Sequence, residues 1–222
     1  VPPEYYEAAD TERSWTIYQD VHRSYPDAIV IGGWASWLHN QAARSHDIDL
    51  IVSPTDLANM EAALDLTDNS HFGSTKWRGT YDGIHLDVYV TYRSRLGSQL
   101  QLPVEHLVEH RLDLMGYPTL NKEALLVAKA AARLDRPDTL PGKKDAEDMA
   151  LMLLGSEEWD FALVHRVAQC AECPEASGSE LVLQAVAGLT EEAGNKARRR
   201  RLDRIAKDMR EEFDSLEATT GR

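Results

Sequence analysis

The segment Asp47-Ile48-Asp49-Leu50-Ile51-Val52 constrains this chain more than any other. Its apolar residues mark a strand, and alternate strand residues point to opposite faces. Asp47 and Asp49 therefore project to one side while Ile48 and Leu50 point into a core. Two carboxylates about 7 Å apart along a strand can embrace divalent cations, and a core has little other reason to hold two acids.

The flanking sequence supports a site there. Ala28 to Ile31 reads as a first strand, and Gly32-Gly33 as the tight turn that lets backbone N–H groups approach a ligand. Trp34 to Gln41 follows as a short helix, with its N-terminus placed to favour an anion such as phosphate. Pro54 opens a helix through about Leu64, and a polar, turn-rich stretch runs to Gly79. Ile84, Leu86, Val88 and Val90 then alternate with His85, Asp87 and Tyr89, which predicts a third strand. Asp87 sits mid-strand, where aspartate is disfavoured, and a third metal-facing carboxylate supplies a reason.

Residues 1–27 read as a helix packed on the sheet through Trp15, Ile17, Tyr18 and Val21, broken at Pro26. Beyond about Pro103 the composition turns helical. Val104 to Met115 precedes a break at Gly116-Tyr117-Pro118, and Asn121 opens a strong helix with Leu125, Leu126, Ala128 and Ala132 on apolar positions. Pro137, Pro141 and Gly142 mark a loop, Lys143 to Leu154 and Trp159 to Gln169 read as helices, and two more follow a loop around Pro174. The expected fold class is α+β: a small mixed β-sheet core with flanking helices over residues 1–102, then a C-terminal helical region over 103–222. No internal repeat or low-complexity linker interrupts it.

Bulk properties exclude several classes. A chain of 222 residues, 43% hydrophobic and 27% charged, has an ordinary globular composition. No apolar stretch reaches the roughly 18 to 20 residues of a membrane span, and the first residues are acidic and polar, so neither an anchor nor a secretory signal is expected and the location expected is cytoplasmic. The net charge of −13 repels nucleic acid in general, so an RNA contact needs a local basic patch. The same charge suits a basic partner, a small cationic substrate, or simple solubility. Cys170 and Cys173 form a C-x-x-C pair, but structural zinc wants four ligands and no second pair exists, so they read as incidental thiols of a reducing compartment.

Three acids on two strands, with a Gly-Gly turn before a helix, suit nucleotidyl transfer. Two Mg²⁺ ions, or Mn²⁺, shared by carboxylates would activate an acceptor hydroxyl, clamp the α-phosphate of an NTP and neutralise the departing pyrophosphate. Mg²⁺ needs few protein carboxylates, because phosphates and waters fill its octahedron.

The order Ile31-Gly32-Gly33, a spacer from Trp34 to His46, Asp47-Ile48-Asp49-Leu50, and Asp87 on a later strand resembles the signature of the DNA polymerase β-like nucleotidyltransferase superfamily. Within it, Lys129 with Arg133 one turn on, the K-x-D-x-x-D run from Lys143 through Asp145 to Asp148, and Ser45 two residues before Asp47 look like the AbiEii and MenT toxin nucleotidyltransferases. The resemblance covers roughly residues 28 to 154. It implies Asp47, Asp49 and Asp87 as metal ligands, Gly32, Gly33, Ser45 and Lys129 as triphosphate-binding residues, and Asp148, or alternatively Asp145, as the group orienting Lys129 or the acceptor. It further implies an RNA acceptor, such as a tRNA 3′ end, and a cognate antitoxin protein. Aminoglycoside and lincosamide nucleotidyltransferases are similar through the same GGWA and DIDL segments, and imply a small cationic antibiotic instead. A non-catalytic nucleotide- or partner-binding module is a third reading, against which the intact acids count.

Other residues have bland readings beside functional ones. Lys129 and Arg133 share a helix face, either solvated near Asp135 or Glu123 or facing an anion. Trp34 and Trp37 read as core or lid packing ahead of base stacking. His46 should face away from Asp47 if both lie in a strand, while His85 shares the polar face of Asp87. Arg44, Arg93 and Arg95 are candidate phosphate contacts, and Arg198 to Arg201 either meets an RNA backbone or pairs with neighbouring acids.

Overall fold

In a computed structural model the described residues are 6–69, 75–193 and 195–220. The expected helix over residues 1–27 is shorter: α1 spans Ala8–Ser24, buries Ile17, Tyr18 and Val21, and carries His22 and Arg23 where a helix C-terminus favours cations. Residues 1–5 lie outside the described residues. Strand β1 (Ile29–Ile31) leads directly into α2 (Gly32–Asn40), so the expected two-residue turn is compressed into the start of the helix itself. Strand β2 (Ile48–Val52) begins one residue after Asp47, and α3 (Pro54–Leu64) is capped by Ser53 Oγ accepting from Asp56 N at 3.1 Å.

The turn-rich stretch holds two strands that its polar character conceals, β3 (Thr67–Asp68) and β4 (Trp77–Tyr81); its residues 70–74 lie outside the described residues. Strand β5 (Ile84–Val90) alternates as expected, with Ile84, Leu86, Val88 and Val90 buried. A small pair follows, β6 (Arg95–Leu96) with β7 (Leu102–Pro103). The helix expected from Val104 to Met115 is a correction: only α4 (Glu105–Val108) is helical, and β8 (Arg111–Leu114) and β9 (Tyr117–Leu120) form a hairpin. Asp113 and Arg111 alternate with half-buried Leu112 and Leu114, a strand period too short to separate from a helical pattern without its partner.

The remaining helices are α5 (Lys122–Asp135), α6 (Leu140–Gly155), α7 (Phe161–Gln169), α8 (Gly178–Glu192) and α9 (Lys196–Thr220). Side-chain caps start the first four: Asn121, Thr139, Asp160 and Ser177 each accept a backbone N–H from the first turn. Pro141 and Gly142, expected in a loop, belong to the first turn of α6, where a proline lacks a donor that would be orphaned anyway.

The architecture is a seven-stranded mixed sheet in the order β3-β4-β5-β2-β1-β9-β8, with flanking helices and a helical C-terminal part. Pairs β2–β5 and β1–β9 are parallel; the others are antiparallel. Because β9 pairs with β1, the sheet draws on residues as late as Leu120, on both sides of the expected seam near residue 100. One continuous apolar core joins β1, β2 and β5 to α5, α6, α8 and α9, through Val30, Leu50, Leu86, Leu126, Met149, Val186 and Met209 among others. No helix among the described residues is long and apolar enough to cross a membrane.

Candidate active site

Strand pairing sets the first layer of the site. Ile31 pairs with Asp49, Asp49 with Asp87, and Asp87 with Arg78, so four adjacent strands contribute one row of residues across the sheet. Neighbouring strands lie about 4.8 Å apart, which brings the Asp49 and Asp87 carboxylates to one place although 38 residues separate them in sequence. The row opens into a cavity of about 620 Å³ whose lining includes Gly32, Gly33, Ser45, Asp47, Asp49, Asp87 and Lys129. Seven of the eight expected site residues thus meet in one cavity, of a size usual for small-ligand sites. The eighth, Asp148, lies just behind the wall and is buried.

Gly32 is necessary where it stands. Its φ of +66° belongs to the left-handed region, and a Cβ there would come within 2.1 Å of Asp49 Oδ2. A Cβ on Gly33 would lie 2.5 Å from Ser45 Oγ and 3.0 Å from Lys144 Nζ. The bare start of α2 therefore sits against a carboxylate, a hydroxyl and an ammonium at once.

The acids divide into two kinds. Asp49 accepts no hydrogen bond among the described residues, and burial, followed by the neighbouring charge of Asp87, pushes its carboxyl up to about 6. Asp47 precedes the strand, and its Oδ1 is shielded from solvent without a hydrogen-bond partner; the His46 ring lies 3.4 Å away. His46 was expected to face away from Asp47, but strand alternation does not apply before Ile48. Its ring instead stacks on Tyr6 at 3.8 Å between centroids. Burial and the Asp47 charge push the Tyr6 phenol up to about 12.

Asp87 is differently placed. Its Oδ1 accepts from Arg78 Nε at 2.7 Å, and its Oδ2 from Arg78 Nη2 at 2.9 Å and Lys76 Nζ at 2.6 Å. Burial opposes its ionisation, yet these two cations hold it below the usual carboxylate range. Of the three acids, Asp47 and Asp49 accept no hydrogen bond among the described residues, whereas Asp87 is clamped. Among the described residues no group of three or more His, Cys, Asp or Glu side chains is gathered closely enough to hold an ion. The shielded oxygen of Asp47 and the unpartnered Asp49 fit a divalent cation whose other ligands come from phosphate and water; Asp87 fits only if its cations move.

The cavity also carries a cationic wall, buried at Lys129 and Lys144 and exposed at Arg136. Lys129 Nζ donates to Asp145 Oδ1 at 3.0 Å and to Asp148 Oδ2 at 2.7 Å, and Lys144 Nζ donates to the same Asp148 oxygen at 2.9 Å. Arg136 donates to Asp145 Oδ2 through Nε at 3.0 Å and Nη2 at 2.8 Å. Burial works against the charge of Lys129, but Asp148 and Asp145 hold its ammonium above the ordinary value. Burial pushes Lys144 below it despite Asp148. Three cations share two carboxylates, leaving positive charge directed at the cavity. Both candidate partners of Lys129, Asp145 and Asp148, contact it.

Several expectations resolve to structural roles. Arg133 does not accompany Lys129 to the cavity; it donates to the carbonyl of Pro137 at the end of α5. The motif lysine Lys143 is exposed, whereas Lys144 is buried. Trp34 is buried, donates to Ser14 Oγ at 2.9 Å, and packs with Trp15 and Trp37. Arg44 faces Glu12, Arg95 pairs with Glu172, and His85 lies against Thr80 outside the cavity. Arg198 holds Glu147 at 2.6 and 3.0 Å, and Arg199 donates to Thr190 O. Cys170 and Cys173 are free thiols.

Sequence reasoning missed Lys76, Arg78, Arg136, Lys144, Tyr6 and Tyr89, all of which line the cavity. Lys144 had a legible signal, its i, i+4 spacing to Asp148. Arg78 alternates with Trp77 and Gly79, a strand signal that the surrounding turn residues obscured.

No protein-family model matches the chain, and no curated protein sequence matches it. Solved structures similar to it include JHP933 from Helicobacter pylori, 11% identical, covering 97% of this chain and 98% of that one with a TM-score of 0.50. They also include an antigenic nucleotidyltransferase-like protein from Paracoccidioides brasiliensis, 15% identical, covering 90% of this chain and 93% of that one with a TM-score of 0.45. The chain thus shares its fold, along nearly its whole length, with JHP933.

Proposed function

We propose that this chain is a metal-dependent nucleotidyltransferase that moves NMP from an NTP to the 3′ hydroxyl of an RNA such as tRNA, as the toxin of a toxin–antitoxin pair. One observation carries the reading: two acids that accept no hydrogen bond among the described residues, Asp47 and Asp49, share one cavity with the buried Lys129 and Lys144. The order of glycines, acids and lysine in the sequence, which resembles the polymerase β-like superfamily, supports it.

Ser45, the N–H groups at the start of α2, Lys144 and Lys129 would hold the triphosphate, since Ser45 and Lys144 lie against Gly33 and Lys129 shares an Asp148 oxygen with Lys144. Asp145 and Asp148 fix the lysines, so little reorganisation remains when charge develops on the leaving group. Leu96, Leu125, Ala128, Ala132 and Leu140 supply an apolar surface for base and ribose. Asp47 and Asp49 would hold Mg²⁺ or Mn²⁺, which when bound activates the acceptor hydroxyl and neutralises pyrophosphate. The acceptor oxygen bonds to the α-phosphorus, the bond from that phosphorus to the bridging oxygen breaks, and pyrophosphate leaves with the electron pair. The hydroxyl proton passes to a carboxylate oxygen facing the acceptor or to water.

A small cationic antibiotic is the competing acceptor, favoured by the net charge of −13. The cavity does not share that imbalance: Lys76, Arg78, Lys129, Arg136 and Lys144 match Asp47, Asp49, Asp87, Asp135 and Asp145 in number. Incubation with Mg²⁺, labelled NTPs and total tRNA should label RNA, and Asp47→Ala should abolish the label. Labelling of aminoglycosides or lincosamides instead overturns the acceptor, and no transfer to any acceptor overturns the reaction.

A further inference from the structure

We infer that Lys76 and Arg78 form a second anion site, which binds the terminal internucleotide phosphate of the RNA acceptor and, in doing so, releases Asp87. This rests on the nucleotidyltransferase reading and adds to it where the acceptor is gripped.

Lys76 and Arg78 both line the cavity, and the order of the strands separates Arg78 from the glycine turn. The row Arg78, Asp87, Asp49, Ile31 orders them: the cations stand at its β4 end, whereas Gly33, with Ser45 and Lys144 against it, follows Ile31 at its β1 end. In-line transfer places leaving group and acceptor on opposite sides of the α-phosphorus. With the triphosphate at the glycine turn, the acceptor therefore approaches from the side of Arg78.

The charges there are unequal. Two cations, at 2.6 to 2.9 Å, bind one carboxylate and leave one positive charge without a counterpart in the clamp. The Arg78 side chain is 47% exposed, so its guanidinium is open to an incoming anion while Asp87, 14% exposed, is not. A guanidinium fork matches phosphate as well as carboxylate. A phosphodiester arriving with the acceptor competes with Asp87 for the same donors and leaves that carboxylate facing the acceptor hydroxyl. A cationic antibiotic offers no such exchange and meets repulsion at this wall. In the absence of a phosphate-bearing acceptor, Asp87 stays clamped, which restrains transfer to water.

The test uses the full chain and a short, fluorescently labelled oligoribonucleotide, compared with one whose last internucleotide phosphate is replaced by methylphosphonate. Binding is followed by anisotropy without metal or NTP, so that the anion site is measured even if no transfer occurs. Arg78→Gln and Lys76→Gln should each weaken binding of the natural oligonucleotide by about tenfold to a hundredfold, with little effect on the methylphosphonate form. The salt dependence of log K should flatten by about 0.7 for the lost phosphate contact. Arg78→Lys, which keeps the charge and loses the fork, should fall between. Where transfer is active, the glutamine variants should raise KM for RNA, leave KM for NTP unchanged and increase NTP hydrolysis relative to transfer. Equal binding of both oligonucleotides by the unaltered protein, or unchanged RNA binding in the glutamine variants, overturns the proposal. Failure of all nucleotidyl transfer with the binding pattern intact overturns the enzymatic reading and leaves the anion site standing.

Discussion

Gly32 lies against Asp49: a Cβ built on the glycine would sit 2.1 Å from the Asp49 Oδ2. Two signals up to about 60 Å apart along an extended chain, a glycine and an aspartate 17 residues later, are one contact in the fold.

That contact predicts the behaviour of Gly32→Ala. The left-handed φ of +66° costs an L-residue about 1 to 2 kcal/mol, and the methyl group must displace the Asp49 carboxylate. Displacement of a reacting group by about 1 Å can cost about a hundredfold in rate. Transfer should therefore fall by about that factor while the melting temperature drops by only a few degrees, read by activity assay and calorimetry.

Asp49 makes stability depend on pH in an unusual direction. Its carboxyl, pushed from 3.8 up to about 6, prefers the proton more in the native state than in the unfolded chain. Keeping it ionised therefore costs stability above about pH 6, and the cost disappears as pH falls from about 6 to about 4. Asp49→Asn should stabilise the protein at pH 7.5 by about 1 to 3 kcal/mol and flatten that acid-side gain, while abolishing transfer. Adding Mg²⁺ should stabilise the unaltered protein and not the variant. Equilibrium urea unfolding across the pH range checks both statements.

Lys129 is the keystone of the cationic wall. Lys129→Met removes the donor shared by Asp145 and Asp148, which are buried. Removing one partner of a buried ion pair costs about 3 to 5 kcal/mol. Lys144 and Arg136 keep one cation on each carboxylate, so the loss should fall at the low end of that range, and Lys129→Met/Asp148→Asn should lose more because it leaves the buried Lys144 without its partner. Denaturant midpoints for the two single variants and the double variant measure the coupling.

Trp34 separates packing from chemistry. Trp34→Phe removes the indole donor to Ser14 and leaves a void beside Trp15. A loss of about 1 to 2 kcal/mol is expected, with KM for NTP unchanged. A selective rise in KM instead would assign the indole to base recognition.

Much of this site was legible from the order of residues. Alternation identified β2 and β5, and the acids within them were conspicuous because a strand tolerates aspartate poorly. The hairpin of β8 and β9 was not legible. β8 is a four-residue strand with half-exposed leucines, too short for any period to declare itself, and β9 is a strand by virtue of its pairing with β1.

The electrostatic states of the acids and lysines belong to the tertiary structure. Asp49 and Asp87 look equivalent in sequence, each an aspartate between apolar residues. β4 and the residue before it place Arg78 and Lys76 on Asp87, and no ion pair reaches Asp49 among the described residues, so burial and repulsion raise the one and ion pairs lower the other. Lys129 and Arg133 likewise share a helix face, yet Asp145 and Asp148 from α6 meet only the first. By itself the sequence determined where carboxylates, glycines and strands must lie, because periodicity and backbone sterics are local. Which charges are paired, and hence which remain free to act, was decided only by the strands and helices that pack from elsewhere, since Coulomb interactions depend on distance in space and on burial.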